Sequence, residues 1–322
     1  MSDSASGPLR IVFWGTPDFA VPSLNALVEE GFDVVAVVTQ PDRPAGRGRS
    51  LRASPVKEAA QEMGIPVLTP EAPKGEAFLA ELQGLEPDLS VVVAYGHILR
   101  PEVLDLPRLG SLNVHASLLP KLRGAAPIHW AVARGHEKTG VTIMRMVQAM
   151  DAGPILHQVE EPIGPDDTAT DLWARLSEVG ASALVEALTL LSVDSVEEVE
   201  QDDEHATYAP MLDRDTGRID WSRPADEVAW HVRGMDMVPG AWTTLDDDPI
   251  KLFRPEPVEG AARGPRGAGP GTVLEAEPDT GLVVATGKGA VRFGEVQPPG
   301  KRRMPTEDWL RGRGVSAGQR FA

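Results

Sequence analysis

A short apolar run, Ser111-Leu112-Asn113-Val114-His115-Ala116-Ser117-Leu118-Leu119-Pro120, carries two side chains able to do chemistry. Asn113 offers an amide that donates hydrogen bonds without titrating, and His115 an imidazole, the side chain suited to exchanging protons near neutral pH. In an extended strand, residues two apart project from the same face, so the two groups point together. A second cluster, Met150-Asp151-Ala152-Gly153-Pro154, follows another apolar run and adds a carboxylate. Amide, imidazole and carboxylate together suit reactions in which an oxyanion is stabilised while protons move. Each alone is also an ordinary residue: Asn or His in a buried strand is commonly a hydrogen-bonded core residue, and Asp a turn former.

Positioning such groups needs strands that end in loops, and the chain is patterned for them. Residues 9–14 read as a buried strand, a turn follows at Gly15-Thr16-Pro17-Asp18, a helix runs through Leu24 and Leu27 to Gly31, and residues 33–39 form the next strand. That spacing is a parallel βαβ unit, although the turn lacks the G-x-G-x-x-G of a dinucleotide site. Further strands are expected at 65–68, 88–95, 141–146 and 155–163, with helices at 75–84 and 125–134. Ser54-Pro55 and Thr168 with Asp171 are helix starts. An open sheet of this kind places a ligand crevice beyond the carboxyl ends of its strands. Beyond Leu212 the texture changes to short strands between Gly/Pro turns, the pattern of a small β-barrel.

The expected division is a flexible leader over 1–8, an α/β domain with a Rossmann-like, mainly parallel sheet over 9–193, an acidic linker over 194–212, and the barrel over 213–322. The linker reading rests on Glu197, Glu198, Glu200, Asp202, Asp203 and Glu204, which suit a solvated segment. The Gly/Pro-rich stretch 260–271 is expected to be a loop.

Composition narrows the class. With no cysteine, disulfides, thiolate metal sites and a cysteine nucleophile are excluded, and the seven histidines show no paired metal-ligand spacing, so no metal is expected. The start is polar and no apolar run is long enough to span a bilayer, so we expect a cytoplasmic protein without membrane insertion. The net charge of −17 disfavours nucleic-acid binding by the body as a whole. Two basic features stand against it: Arg292, Lys301, Arg302, Arg303, Arg311, Arg313 and Arg320 near the end, and the stretch Gln40–Leu51 with Arg43, Arg47 and Arg49. The Pro and Gly residues of that stretch exclude helix and central strand, so it reads as an exposed cationic arm leaving the carboxyl end of a strand.

Several separated motifs then share one likeness. Gly15-Thr16-Pro17-Asp18-Phe19-Ala20, the arm from Gln40 to Gly48, Asn113 to Pro120, Arg123-Gly124-Ala125-Ala126-Pro127-Ile128, Thr139 to Met144, Ile219-Asp220-Trp221 and Pro299-Gly300-Lys301 closely resemble the folate-dependent formyltransferases, and within them the methionyl-tRNA formyltransferase family. The likeness implies an OB-like second domain. It implies 10-formyltetrahydrofolate as co-substrate and initiator Met-tRNA as partner, a monomer, and transfer of a formyl group to the methionine α-amino group for translation initiation. It assigns catalysis to Asn113, His115 and Asp151, the folate pocket to Ser117, Leu118, Leu119 and Pro120, and tRNA contact to Arg47, Arg43, Lys301 and Arg302. Position 116 is Ala where the pattern carries Gly.

The chemistry implied is attack of an amine on an amide-like carbonyl, passage through a tetrahedral oxyanion, and expulsion of the folate N10 amine. Asn113 would donate to the oxyanion, a role typically worth roughly 3–4 kcal/mol. His115 would share the oxyanion as imidazolium or protonate the leaving nitrogen, and Asp151 would take the amine proton after attack or orient His115. The Asn, His, Ser-Leu-Leu-Pro and Asp pattern is shared by relatives with amino-sugar or small-amine acceptors, which form the alternative; the arm and barrel favour tRNA. A non-catalytic RNA-binding protein is disfavoured by the intact trio.

Overall fold

The computed structural model describes residues 8–45, 50–236, 238–258, 268–312 and 314–322. Most of the expected leader, the arm tip with Arg47 and Arg49, and most of the 260–271 loop lie outside these residues. The chain divides into two units. One comprises Met1–Gly124, Thr139–Pro162 and Trp173–Tyr208; the other comprises Ala125–Lys138, Ile163–Leu172 and Ala209–Ala322.

The first unit is built on strands β1 (Arg10–Gly15), β2 (Asp33–Val38), β3 (Arg43–Ala45), β4 (Ser50–Arg52), β5 (Val67–Leu68), β6 (Leu89–Val93), β7 (Ser111–His115), β8 (Lys138–Arg145) and β9 (Ile155–Pro162). Its helices include α1 (Val21–Glu29), α2 (Pro55–Glu62), α3 (Glu76–Gly84) and α4 (Pro101–Leu104). The sheet order is β5-β2-β1-β6-β7-β8-β9. Neighbours from β5 through β7 are parallel, and β8 runs antiparallel to β7. Ile11 to Trp14 in β1 are fully buried and every residue of β6 is buried, as all-apolar strands covered on both faces require. Ser54 caps α2 by accepting from the Lys57 N–H at 3.0 Å, with Pro55 in the first turn.

Two features of this unit differ from expectation. The described parts of the cationic arm pair as two short antiparallel strands, β3 against β4, with Arg43 opposite Arg52, and Lys57 holds Asp42 beside them at 2.7 Å. The segment expected as a solvated linker is bound along the first unit as far as Tyr208. Val199 exchanges backbone hydrogen bonds with Ile155 at 2.8 and 2.9 Å, and Thr207 pairs with Leu122 and Arg123. Its charges keep most of its side chains in water, but charge says nothing about where the backbone hydrogen bonds go.

The second unit holds α5 (Pro127–Ala133), the first turn of α6 (Ala169–Ser192), α7 (Ala225–Gly234), β10 (Trp242–Leu245), β11 (Asp248–Val258), β12 (Val273–Glu277), β13 (Gly281–Ala285), β14 (Ala290–Gln297), β15 (Met304–Pro305) and α8 (Thr306–Arg311). The sheet order is β10-β11-β14-β13-β12, all antiparallel, with β15 on β14. Asp246 and Asp247 turn the β10–β11 hairpin at φ of 50° and 69°, the left-handed pair that a two-residue hairpin demands. Residues 318–322 then bridge the two edges of the sheet: Ala322 exchanges backbone bonds with Thr244 beside β11, and Gly318 and Gln319 bond Val273 of β12. The result is the expected OB-like curled sheet, filled by Trp221, Leu252, Val284, Val291, Phe293 and Phe321.

Residues 125–138 and 163–172, expected within 9–193, group instead with this unit. The cause is close helix packing: a Cβ on Gly234 of α7 would lie 2.5 Å from the Ala133 Cβ of α5, and one on Gly135 equally close to the Trp230 ring. Nothing local in either helix announces a partner a hundred residues away.

Phe321 stacks on Trp221 at 6.0 Å and is 1% exposed. Phe321→Ala is expected to cost the second unit about 3–5 kcal/mol, read as a fall in the midpoint of its thermal unfolding.

Candidate active site

Strand β7 presents Asn113 and His115 on one face, between Val92 of β6 and Met144 of β8. Because β8 is antiparallel to β7, its carboxyl end at Arg145 lies beside Leu112, the wrong end of β7 for a group that must meet His115. The loop after β8 turns back along the strand. It brings Asp151 Oδ2 to 3.7 Å from His115 Nδ1, with the two side chains 17% and 6% exposed. That separation exceeds a hydrogen bond but leaves a charge interaction little screened by water. Turning back costs backbone freedom: Asp151 sits at φ 50°, and a Cβ on Gly153 would lie 2.0 Å from the Arg145 carbonyl oxygen.

The tripeptide Leu122-Arg123-Gly124 holds both groups. His115 Nε2–H donates to the Leu122 carbonyl at 3.1 Å, and since a carbonyl only accepts, this fixes a proton on Nε2 and turns Nδ1 toward the carboxylate. The Gly124 N–H donates to Asp151 Oδ2 at 2.7 Å. Between them, the buried Arg123 side chain donates to Gln201 Oε1 from Nε at 3.0 Å and Nη2 at 2.8 Å, and to Asp203 at 2.8 Å. Gln201 Nε2 donates in turn to the carbonyls of Asp151 and Gly153.

Asn113 is half-buried, and its amide has no hydrogen-bond partner among the described residues, which leaves it able to bind a ligand atom. Ala116 is 7% exposed and outside the left-handed region, so the methyl it carries in place of Gly is accommodated. In the Ser117–Pro120 run, Ser117 and Leu119 are buried and pinned inward. Thr142 Oγ1 donates to the Ser117 carbonyl at 2.6 Å and accepts from the Leu119 N–H at 3.2 Å, while Gln158 Nε2 donates to the Leu119 carbonyl at 2.9 Å. Leu118 and Pro120 keep accessible surface. Apolar side chains are also exposed in the loops after β6 and β8: Ile98 at 93%, Val147 at 42% and Met150 at 60%.

The structure thus brings His115 and Asp151 together and sets Asn113 on the same strand face. Arg43 is exposed on β3, Arg47 lies outside the described residues, and Lys301 and Arg302 are exposed in the turn between β14 and β15 of the second unit. Arg303 differs from those two: it is paired with Glu295 and Asp236 and lies over the Phe253 ring at 4.0 Å. Two cavities, about 460 Å³ against α1 and α6 and about 450 Å³ around Trp242, include none of the trio. Sequence reasoning missed Leu122, Arg123 and Gln201 as parts of the site. Arg123-Gly124 stood inside a quoted motif, but Gln201 was hidden among carboxylates.

An imidazole–carboxylate pair near an amide without a partner among the described residues, on a mainly parallel sheet, suits acyl transfer through an oxyanion. Residues 9–188 match the family described as formyl transferase, and residues 211–314 match its C-terminal domain. Two relatives, each called methionyl-tRNA formyltransferase, span nearly the whole chain. That of Bacillus licheniformis is 47% identical over 97% of this chain and 98% of its own length, and that of Aromatoleum aromaticum 48% identical over 98% of each. The chain belongs to the methionyl-tRNA formyltransferase family. The fold is shared more widely: an N-formyltransferase from Helicobacter canadensis, solved with folinic acid and dTDP-3-aminofucose, superposes at a TM-score of 0.66 with 16% identity, covering 90% of this chain and 99% of its own.

Asp151→Asn is expected to lower formyl-transfer turnover by about 100-fold or more with folate binding retained. Steady-state kcat beside a folate titration checks this, and near-normal turnover would remove Asp151 from the mechanism.

Proposed function

We propose that this chain transfers the formyl group of 10-formyltetrahydrofolate to the α-amino group of methionine on initiator Met-tRNA, as a cytoplasmic monomer acting in translation initiation. The observation that carries the reading is the His115–Asp151 pair beside the unpartnered Asn113, in a chain 47% identical along its length to a methionyl-tRNA formyltransferase.

The groups fit the substrate. A folate ring system is flat, apolar on its faces and polar at its edges, and the exposed Ile98, Val147 and Met150 with Leu118 and Pro120 supply apolar contact near backbone polar groups. In the reaction the amine nitrogen bonds to the formyl carbon, the carbonyl oxygen becomes an oxyanion, and the bond from carbon to N10 breaks. Asn113 donates to the oxyanion. The nitrogen becomes acidic once it has attacked, so a carboxylate, too weak a base for a free ammonium, is then strong enough to take its proton. Asp151 accepts that proton, and as the bond from carbon to N10 breaks the same proton passes by way of His115 Nδ1 to N10, so both side chains end as they began. The near-burial of the pair keeps these charges effective.

Acceptor choice falls to other parts of the chain. Arg43 and Arg47 on the arm, and Lys301 and Arg302 on the second unit, offer guanidinium and ammonium groups to phosphate on a protein otherwise acidic. No helix among the described residues is long and apolar enough to cross a membrane.

The direct test is formyl transfer from 10-formyltetrahydrofolate to charged initiator tRNA, set against amino-sugar nucleotides and small amines. Transfer to tRNA alone is expected; preference for an amino sugar would install the alternative acceptor. Arg47→Ala is expected to raise the KM for tRNA about tenfold, as loss of a phosphate contact does, with kcat at saturating tRNA little changed. An unchanged KM would make the arm a bystander.

A further inference from the structure

Gln201 lies in a segment whose composition says only that it is solvated, yet its side chain is among the most fully used in the first unit. Its oxygen accepts both Arg123 Nε at 3.0 Å and Nη2 at 2.8 Å, and its nitrogen donates to the Asp151 carbonyl at 2.9 Å and the Gly153 carbonyl at 2.8 Å. That environment permits one orientation of the amide, because the guanidinium can only donate and the two carbonyls can only accept. Arg123 is itself 4% exposed and fixed at its backbone by the Thr207 carbonyl at 2.8 Å, so the grip starts from a rigid point. The register that sets Gln201 opposite residues 151–153 comes from the paired hydrogen bonds of Val199 and Ile155.

What this grip holds is an unfavourable conformation. Asp151 at φ 50° occupies the left-handed region, which residues other than glycine adopt sparsely. The Gly124 N–H holds the carboxylate itself at 2.7 Å, and the Gln201 amide holds the backbone of the loop that carries it to 3.7 Å from His115 Nδ1. We propose that Gln201 is a positioning residue for formyl transfer: its amide, oriented by Arg123, holds the Asp151 backbone so that the carboxylate faces His115. Gln201 touches neither reacting group; it acts through the Asp151 and Gly153 carbonyls, on the carboxyl side of the carboxylate-bearing residue. The proposal rests on the assignment of Asp151 and His115 to the reaction made above.

The test is a double-mutant cycle on the full chain, with folding of every variant checked by far-UV circular dichroism and thermal unfolding. Gln201→Ala is expected to lower kcat about 10- to 100-fold, with the KM of both substrates changed less than about threefold. In an Asp151→Asn background the same substitution is expected to lower kcat less than about threefold further, because nothing remains for Gln201 to position. Gln201→Glu keeps an acceptor toward Arg123 but sets an oxygen against two carbonyls, and is expected to be impaired like Gln201→Ala. Should Gln201→Ala fail to fold, Gln201→Met, similar in length and without a donor, replaces it in the cycle.

Equal losses in the two backgrounds would show a general structural role and overturn the proposal, as would wild-type turnover in Gln201→Glu. A normal kcat in Gln201→Ala beside an impaired Asp151→Asn overturns this proposal alone. A normal kcat in Asp151→Asn overturns the reading on which it rests.

Discussion

A reversal of strand direction governs this candidate active site. The sheet runs parallel as far as β7 and then turns antiparallel at β8, so the carboxylate and the imidazole leave their strands at opposite ends. They meet only because the loop after β8 doubles back, and that requires a left-handed Asp151, a glycine at 153 pressed on the Arg145 carbonyl, and hydrogen bonds to keep the loop there. The Val199–Ile155 pairing, Gln201 and Arg123 provide them. In a sheet parallel throughout, both groups would sit at strand ends on the same edge and little of this scaffolding would be needed.

The same reversal explains what could and could not be read from the residues. Asn113 and His115 were legible because strand periodicity is local: two residues apart means one face. The helix start at Ser54-Pro55 and the buried run of β6 were legible for the same reason. Asp151 was legible as a polar residue after an apolar strand, but its path back along the strand to His115 was not. Strand direction depends on partners distant in sequence, and no pattern within β8 encodes it. Gln201 was invisible for a related reason: neighbouring carboxylates dominate the composition, while its hydrogen bonds depend on an arginine 78 residues earlier.

Local chemistry misled in two further places. Asp246-Asp247 lacks the Asn-Gly or Asp-Gly that announces a two-residue turn, yet both residues adopt the left-handed conformation there. Helix α5 follows the site strand in sequence but groups with the second unit through its packing on α7, so the boundary between units crosses the chain more than once. Segments that leave one core and return to another carry no composition shift at the crossing, because each side buries the same kinds of apolar residue.

One tripeptide, Leu122-Arg123-Gly124, contacts imidazole, carboxylate and the amide behind them. Such an arrangement ties the proposed acid–base pair to one short stretch of backbone. A change at any one of the three residues is thereby transmitted along a single backbone segment to the groups its neighbours hold.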